Sequence, residues 1–226
     1  FGKHITRRFE LYPIGNVPVL AIRPYPLSNP INALLKRSFD LVVSSIVLVL
    51  SPIVIIPVSI VIKLTSPGPV FFKQERTGLR GEPFMCYKFR TMRVNRESDT
   101  MQATRNDPRK TKFGNFLRKS NIDELPQFFN VWKGEMSIVG PRPHMIKHTE
   151  AYSALIDKYM LRHTIKPGIT GWAQVNGYRG QTDELWKMEK RVEYDVWYAE
   201  NWNFMLDMKI IFLTVVNMFK GEQNAF

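Results

Sequence analysis

The chain has 226 residues, 44% of them apolar, one cysteine (Cys86) and a formal net charge of +12. A single cysteine excludes an internal disulfide framework and fits a reducing compartment. The positive excess calls for anionic partners, namely nucleic acid, an anionic lipid surface or phosphorylated substrates, and the length allows one moderate domain plus a membrane element.

Residues 1–30 begin with Phe1 rather than Met and carry Pro13, Pro18, Pro24, Pro26 and Pro30. They read as an irregular linker or arm, with an upstream domain expected before them. The first residues lack the apolar core of a signal peptide. Residues 31–64 read as a membrane helix that opens with Leu34, Leu35 and Phe39. From Leu41 to Ile62 the sequence has no charge, and a straight helix of that length would measure about 33 Å, enough to cross a bilayer core. Ser51-Pro52 interrupts it near the middle, and Pro57 follows. Pro52 removes a helical hydrogen bond, and nearby serine hydroxyls can serve the freed carbonyls. Lys36 and Arg37 precede the run and Lys63 and Lys73 follow it, so the positive-inside rule favours both ends on the cytoplasmic side. A helix that enters, kinks at Ser51-Pro52 and returns to the same face satisfies these observations together. A tilted spanning helix and a buried core helix are the alternatives.

Thr65-Ser66-Pro67-Gly68-Pro69 stops the helix. Val70–Gln74 and Phe84–Met92 read as strands of a hairpin closed by Gly78–Gly81, with Lys88 and Arg90 expected on one face. Residues 93–110 read as a polar loop and Phe113–Lys119 as a short helix. Ser120 is expected to start another helix through Leu125, Phe128 and Val131. Ser137–Val139 is a short apolar piece before the stiff turn Gly140-Pro141-Arg142-Pro143. A helix is expected over Met145–Leu161, then turn and extended chain over 166–172, then a helix over Asp183–Asn201. In Leu206–Phe219, Met208, Phe212, Val215 and Phe219 share one helical face. That face suits either the membrane interface, with Trp197 and Trp202 as headgroup anchors, or ordinary core packing.

The segment most suggestive of chemistry is Ser120-Asn121-Ile122-Asp123-Glu124. Its spacing fits a capping box, with Ser120 capping and two carboxylates in the first turn. Lys88, Arg90, Arg118, Lys119 and Arg142 lie in the surrounding segments. A helix N-terminus with several guanidiniums suits a diphosphate. A carboxylate can attack phosphorus if cations neutralise the phosphoryl oxygens. Adjacent acids allow one to attack while the other holds Mg²⁺, which needs only one or two protein carboxylates. His144 and His148 lack the zincin pattern, and no phosphate-binding glycine loop or nucleophile elbow is present. Cys86 reads as core.

Four segments together resemble the bacterial sugar transferases, the monotopic polyprenyl-phosphate phosphoglycosyl transferases. They are Lys88-Phe89-Arg90-Thr91-Met92, Asp123-Glu124-Leu125-Pro126-Gln127, Met136 to Pro143, and Pro167 to Gly177. The resemblance covers about residues 31–226. Tyr159 to His163 and Arg191 to Asp195 look most similar to undecaprenyl-phosphate glucose phosphotransferases of the exopolysaccharide type. The resemblance implies an α+β, mostly helical fold: a linker at 1–30, a kinked re-entrant membrane helix at 31–64, and a cytosolic catalytic domain at 65–226. That domain would have a small β-hairpin and amphipathic interfacial helices.

The resemblance further implies that Asp123 attacks the β-phosphorus of a UDP-sugar, UDP-glucose by closest similarity, releasing UMP. Undecaprenyl phosphate then takes the sugar phosphate. Glu124 would bind Mg²⁺, and Lys88, Arg90, Arg118 and Arg142 would hold phosphates. Gln174 and Asp195 match further substrate-site positions. The implied setting is the cytoplasmic face of a bacterial inner membrane, with lipid rather than nucleic acid as partner and a homodimer as one expected assembly. Asn121-Ile122 departs from the Ser-Leu of many relatives. The competing readings are a membrane-tethered basic binding module, whose binding would fall with salt and ignore Asp123, and an aspartyl-phosphate phosphatase, whose paired D-x-D is absent.

Overall fold

The computed structural model describes residues 9–14, 17–22, 24–94, 107–180 and 184–220. Near the start, strands β1 (Phe9–Ile14) and β2 (Val17–Ile22) pair antiparallel. This corrects the expectation of an irregular arm. Pro13 and Pro18 face each other at the turn end, and an isolated hairpin has open edges on both strands, where a proline does not break a ladder.

Helices α1 (Pro30–Leu50) and α2 (Pro52–Thr65) follow, bent by 56°. Asn29 caps α1 by accepting a hydrogen bond from the Ile31 amide. The bend lies at Ser51-Pro52, as expected. Pro52 cannot donate to the Leu48 carbonyl, and Ser51 Oγ donates to that carbonyl instead at 2.8 Å. Among the described residues no single helix is long and apolar enough to cross a membrane, but the bent pair together meets that criterion by length and composition. Apart from the few that pack on the domain, such as Val58 and Ile62, its apolar side chains face outward: Ile31 is 75%, Val49 78% and Leu64 82% exposed. A buried core helix is thereby excluded, because core side chains are enclosed by neighbours.

Strands β3 (Phe71–Thr77) and β4 (Pro83–Phe89) form the expected antiparallel hairpin. Most of the loop expected at 93–110 lies outside the described residues. Helix α3 (Lys112–Lys119) is capped by Thr111 Oγ1, which accepts from the Gly114 amide at 2.9 Å. Helix α4 (Gln127–Lys133) ends at Gly134, in the left-handed region at φ 89°. It docks on β4 through the buried Asn130, which accepts from the Tyr87 amide and donates to the Met85 carbonyl.

Strand β5 (Ser137–Val139) pairs in parallel with β6 (Gly168–Thr170). Gly140 and Gly168 permit this crossing, since a Cβ on Gly168 would lie 2.1 Å from the Gly140 nitrogen. Helix α5 (Ile146–Ser153) is shorter than expected, and its predicted second half is a separate 3-10 turn, Tyr159–Thr164. Strand β6 lies in the extended chain expected over 166–172, and a short helix α6 (Trp172–Val175) follows it. Helix α7 (Leu185–Asn201) precedes α8 (Phe204–Lys220).

The main core gathers Cys86, Val131, Met136, Val139, Tyr198, Ala199, Trp202 and Ile210. A second cluster of Val58, Ile62, Phe89 and Leu117 joins α2 to the hairpin and α3. Phe212, Val215 and Phe219 of α8 remain exposed, so that apolar face is not core packing. Trp197 is exposed, but Trp202 is buried and donates to Asp207 Oδ2, which corrects its expected place as a surface anchor.

Candidate active site

The segment between α3 and α4 is not the capped helix start its spacing suggested. Ser120 Oγ donates back to the Phe116 and Leu117 carbonyls and closes α3. Asn121 then adopts the left-handed region at φ 59°, which asparagine tolerates better than most residues. The reversal places Ile122–Glu124 in one 3-10 turn without a side-chain cap. Asp123 and Glu124 are nearly enclosed, at 7% and 6% exposure.

The two carboxylates have opposite surroundings. Glu124 Oε1 is an ion-pair partner of Lys88 Nζ and of Arg142 Nη2, each at 2.7 Å, and Oε2 has only a longer 3.4 Å bond from Arg142 Nη1. Burial works to raise the Glu124 carboxyl, but Arg142 and Lys88 overcome it and hold the group well below the usual glutamate range. Among the described residues no side chain donates a hydrogen bond to Asp123. Burial pushes its carboxyl up, against the pull of Lys88 and with the added push of anionic Glu124. One acid is thus a fixed anion and its neighbour an unengaged, desolvated carboxylate. That division suits a nucleophile beside an electrostatic partner.

The cations are fixed by their elements. Lys88 projects from β4 to Glu124. Arg142 is aimed by its backbone: the Pro141 carbonyl accepts from the Gly168 amide, the Arg142 carbonyl from Arg162 Nη2, and the Pro143 carbonyl from Arg76 Nη1. Arg118 Nε donates to Thr91 Oγ1 at 2.8 Å. Burial lowers the Arg118 pKa while anionic Asp123 draws it up.

Arg90 is placed differently. Strand β4 ends at Phe89, so the alternation that would pair Arg90 with Lys88 stops. Arg90 instead donates to the Ser66 and Pro67 carbonyls and holds the turn that ends α2. Gln174 Nε2 donates to the Ile169 carbonyl, and Gln174 makes no hydrogen bond to the acids among the described residues. Asp195 lies in α7, ion-paired with Arg162 at 2.7 Å, both residues buried. His144 is enclosed beside Tyr159 and Arg162; burial, then Arg162, holds it neutral, well below the usual histidine range.

The sequence reading missed Arg179. Its guanidinium donates to Asn121 Oδ1, beside the acids, and its charge helps lower the Glu124 carboxyl. The available signal was an arginine in a glycine turn, Gly177-Tyr178-Arg179-Gly180, following a segment already singled out.

Among the described residues no group of three or more His, Cys, Asp or Glu side chains could hold a metal ion. The donor set still fits Mg²⁺, which takes one or two carboxylates and completes its shell with water and phosphate. Among the described residues, Asp123 accepts no side-chain hydrogen bond and Glu124 Oε2 accepts one bond, at 3.4 Å from Arg142 Nη1.

The chain is similar to known proteins over most of its length. The chain is 53% identical over 216 residues to UDP-glucose:undecaprenyl-phosphate glucose-1-phosphate transferase of Escherichia coli (strain K12), covering 95% of this chain and 46% of that protein. It is 54% identical over 212 residues to the protein of the same name from Klebsiella pneumoniae, covering 93% and 45%. For that of Xanthomonas campestris pv. campestris the figures are 47% over 216 residues, 94% and 44%. The chain therefore spans a little under half the length of these relatives. The model of the family described as bacterial sugar transferase matches residues 31–221, and the chain belongs to that family.

Proposed function

We propose that this chain is the catalytic part of a membrane-bound phosphoglycosyl transferase. It transfers a sugar-1-phosphate, glucose-1-phosphate by the names of its relatives, from a UDP-sugar to undecaprenyl phosphate, the step that starts assembly of a surface polysaccharide. The observation that carries this reading is the asymmetry of the acids: Asp123 unengaged, and Glu124 clamped by Lys88 and Arg142.

In the first half-reaction an Asp123 carboxylate oxygen attacks the β-phosphorus. The bond to the bridging oxygen breaks, and UMP leaves with its electron pair. Lys88, Arg118 and Arg142 supply positive charge to the phosphoryl oxygens, where charge develops. Glu124 together with the diphosphate would hold Mg²⁺, which would supply further neutralising charge to that substrate. In the second half-reaction a phosphate oxygen of the lipid attacks the same phosphorus and frees Asp123. Burial of the acids limits water, which would otherwise hydrolyse the acyl-phosphate.

The membrane placement belongs to the same proposal. The bent α1–α2 pair enters from the cytoplasmic face and returns to it, and the exposed side of α8 lies in the interface. The lipid substrate then meets the acids without leaving the bilayer.

The test is an intact mass after incubation with UDP-glucose and Mg²⁺ without lipid acceptor. A hexose-phosphate adduct on the wild type, absent from Asp123→Asn, is expected. UDP-galactose and N-acetylated sugars follow if glucose gives none. No adduct and no UMP release with any of them, together with salt-sensitive vesicle binding that ignores Asp123, would leave a basic membrane-binding module instead.

A further inference from the structure

Next to Arg142, whose carbonyl Arg162 holds, lies a buried polar cluster that the proposed transfer does not use directly. It contains Arg191 and Asp195 of α7, Arg162, His144 and Tyr159. A buried arginine must place its donors well, because an unpaired buried charge is costly. The Asp195 carboxylate is taken by Arg162. Arg191 instead donates Nε to the Tyr178 carbonyl at 2.8 Å and Nη2 to the Gly180 carbonyl at 2.6 Å. Burial lowers its pKa to about 10, with Arg162 adding to the effect.

The residue between those two carbonyls is Arg179. Its backbone is gripped on both sides by Arg191, and its side chain reaches Asn121 Oδ1. Asn121 is the left-handed residue from which the turn carrying Asp123 and Glu124 starts. A continuous path therefore runs from α7 through Arg191, the Tyr178–Gly180 segment and Arg179 to the acids. The grip requires a planar fork: an ammonium presents one point of charge and cannot hold two carbonyls in fixed directions.

We propose that Arg191 is a positioning residue that fixes Arg179 against the Asn121 turn, so that Arg179 joins Lys88 and Arg142 in the field around Glu124. This rests on the transfer reaction proposed above. Arg191 itself touches neither the acids nor the substrate.

The test uses the full chain in detergent and the variants Arg191→Gln, Arg191→Lys, Arg179→Ala and Arg179→Ala/Arg191→Gln. Hydrogen exchange over Gly177–Gly180 should quicken about tenfold in Arg191→Gln and less in Arg179→Ala. In UMP release from UDP-glucose, Arg191→Gln should lower kcat/KM about tenfold, and the double variant should fall within about twofold of Arg179→Ala alone. Arg191→Lys, which keeps the charge, serves if the glutamine variant does not fold, and should show the same non-additivity. Unchanged exchange, or losses that simply add while the wild type is active, would overturn the positioning role. A wild type that releases no UMP from any UDP-sugar would overturn the transfer reaction and the catalytic part of this role with it, while the exchange result still decides whether Arg191 anchors the segment.

Discussion

Arg142 and Glu124 meet through Nη2 and Oε1 at 2.7 Å, and the Arg142 backbone is itself held by Arg162 at its carbonyl. The ion pair is therefore positioned from the Tyr159–Thr164 turn, whose Arg162 is itself paired with Asp195 of α7, as well as from the Pro-Arg-Pro turn. Burial keeps the Asp123 pKa raised against the pull of Lys88, and the neighbouring Glu124 anion adds to the rise.

That coupling has a pH signature. Asp123 must be ionised to attack, so adduct formation should rise with pH through a value above 3.8, the ordinary aspartate figure. Glu124→Gln removes a neighbouring anion and releases Lys88 and Arg142 toward Asp123. The acid limb should then move to lower pH, while the plateau falls about a hundredfold through lost placement of the cations. A pH series of rapid-quench intact masses checks both, and a limb that stays or moves upward would contradict the coupling. For stability the signs oppose. The Asp123 contribution, whose pKa is raised, is lost as pH climbs from 3.8 through the raised value. The Glu124 contribution, whose pKa is depressed, is present above 4.5 and lost as pH falls through the depressed value.

The buried pair Lys36–Asp207 ties α1 to α8 at 2.6 Å, and Asp207 also accepts from Tyr198 Oη and Trp202 Nε1. Asp207→Ala leaves a buried ammonium unpaired and should cost about 3–5 kcal/mol. The double replacement Lys36→Met/Asp207→Leu should recover part of that loss, since the ammonium and the carboxylate go together while the buried Asp40 loses the cation that favours its charge. Thermal unfolding in detergent measures both.

Gly114 packs face to face with the Thr91 backbone. A Cβ there would lie 2.0 Å from the Thr91 carbonyl oxygen, and backbone cannot step aside as a side-chain end can. Gly114→Ala should lose about 3 kcal/mol, the upper end of ordinary overpacking. It should also slow UMP release, because Thr91 Oγ1 is what orients Arg118. Denaturant midpoints and initial rates test the two effects separately.

The bend between α1 and α2 is attributed to Ser51-Pro52. Ser51→Ala/Pro52→Ala restores a donor at position 52 for the Leu48 carbonyl, so the helices should straighten and the ends reach opposite faces. Labelling of introduced cysteines before Pro30 and after Thr65 reads the topology. Wild-type ends on opposite faces would sink the re-entrant placement, and a variant with both ends still cytoplasmic would remove Pro52 as the cause.

Local chemistry made much of this protein legible from its residues alone. The Ser51-Pro52 break, the Gly78–Gly81 hairpin and the helical face of α8 depend on dihedral preference and periodicity, which neighbouring residues carry themselves. The Asp123-Glu124 pair and its cationic surroundings were visible as composition within motifs. Tertiary contacts decided the rest. Ser120 turned back onto α3 because the left-handed Asn121 reverses the chain there, and Arg90 went to the end of α2 because β4 stops at Phe89. Trp202 sank into the core to meet Asp207, a residue it could have met on no evidence of spacing. The division between an unengaged Asp123 and a clamped Glu124, and the hold of Arg191 on Arg179, join segments far apart in sequence. Ion pairs and carbonyl contacts of that kind depend on where elements pack, and one-dimensional patterns do not record it.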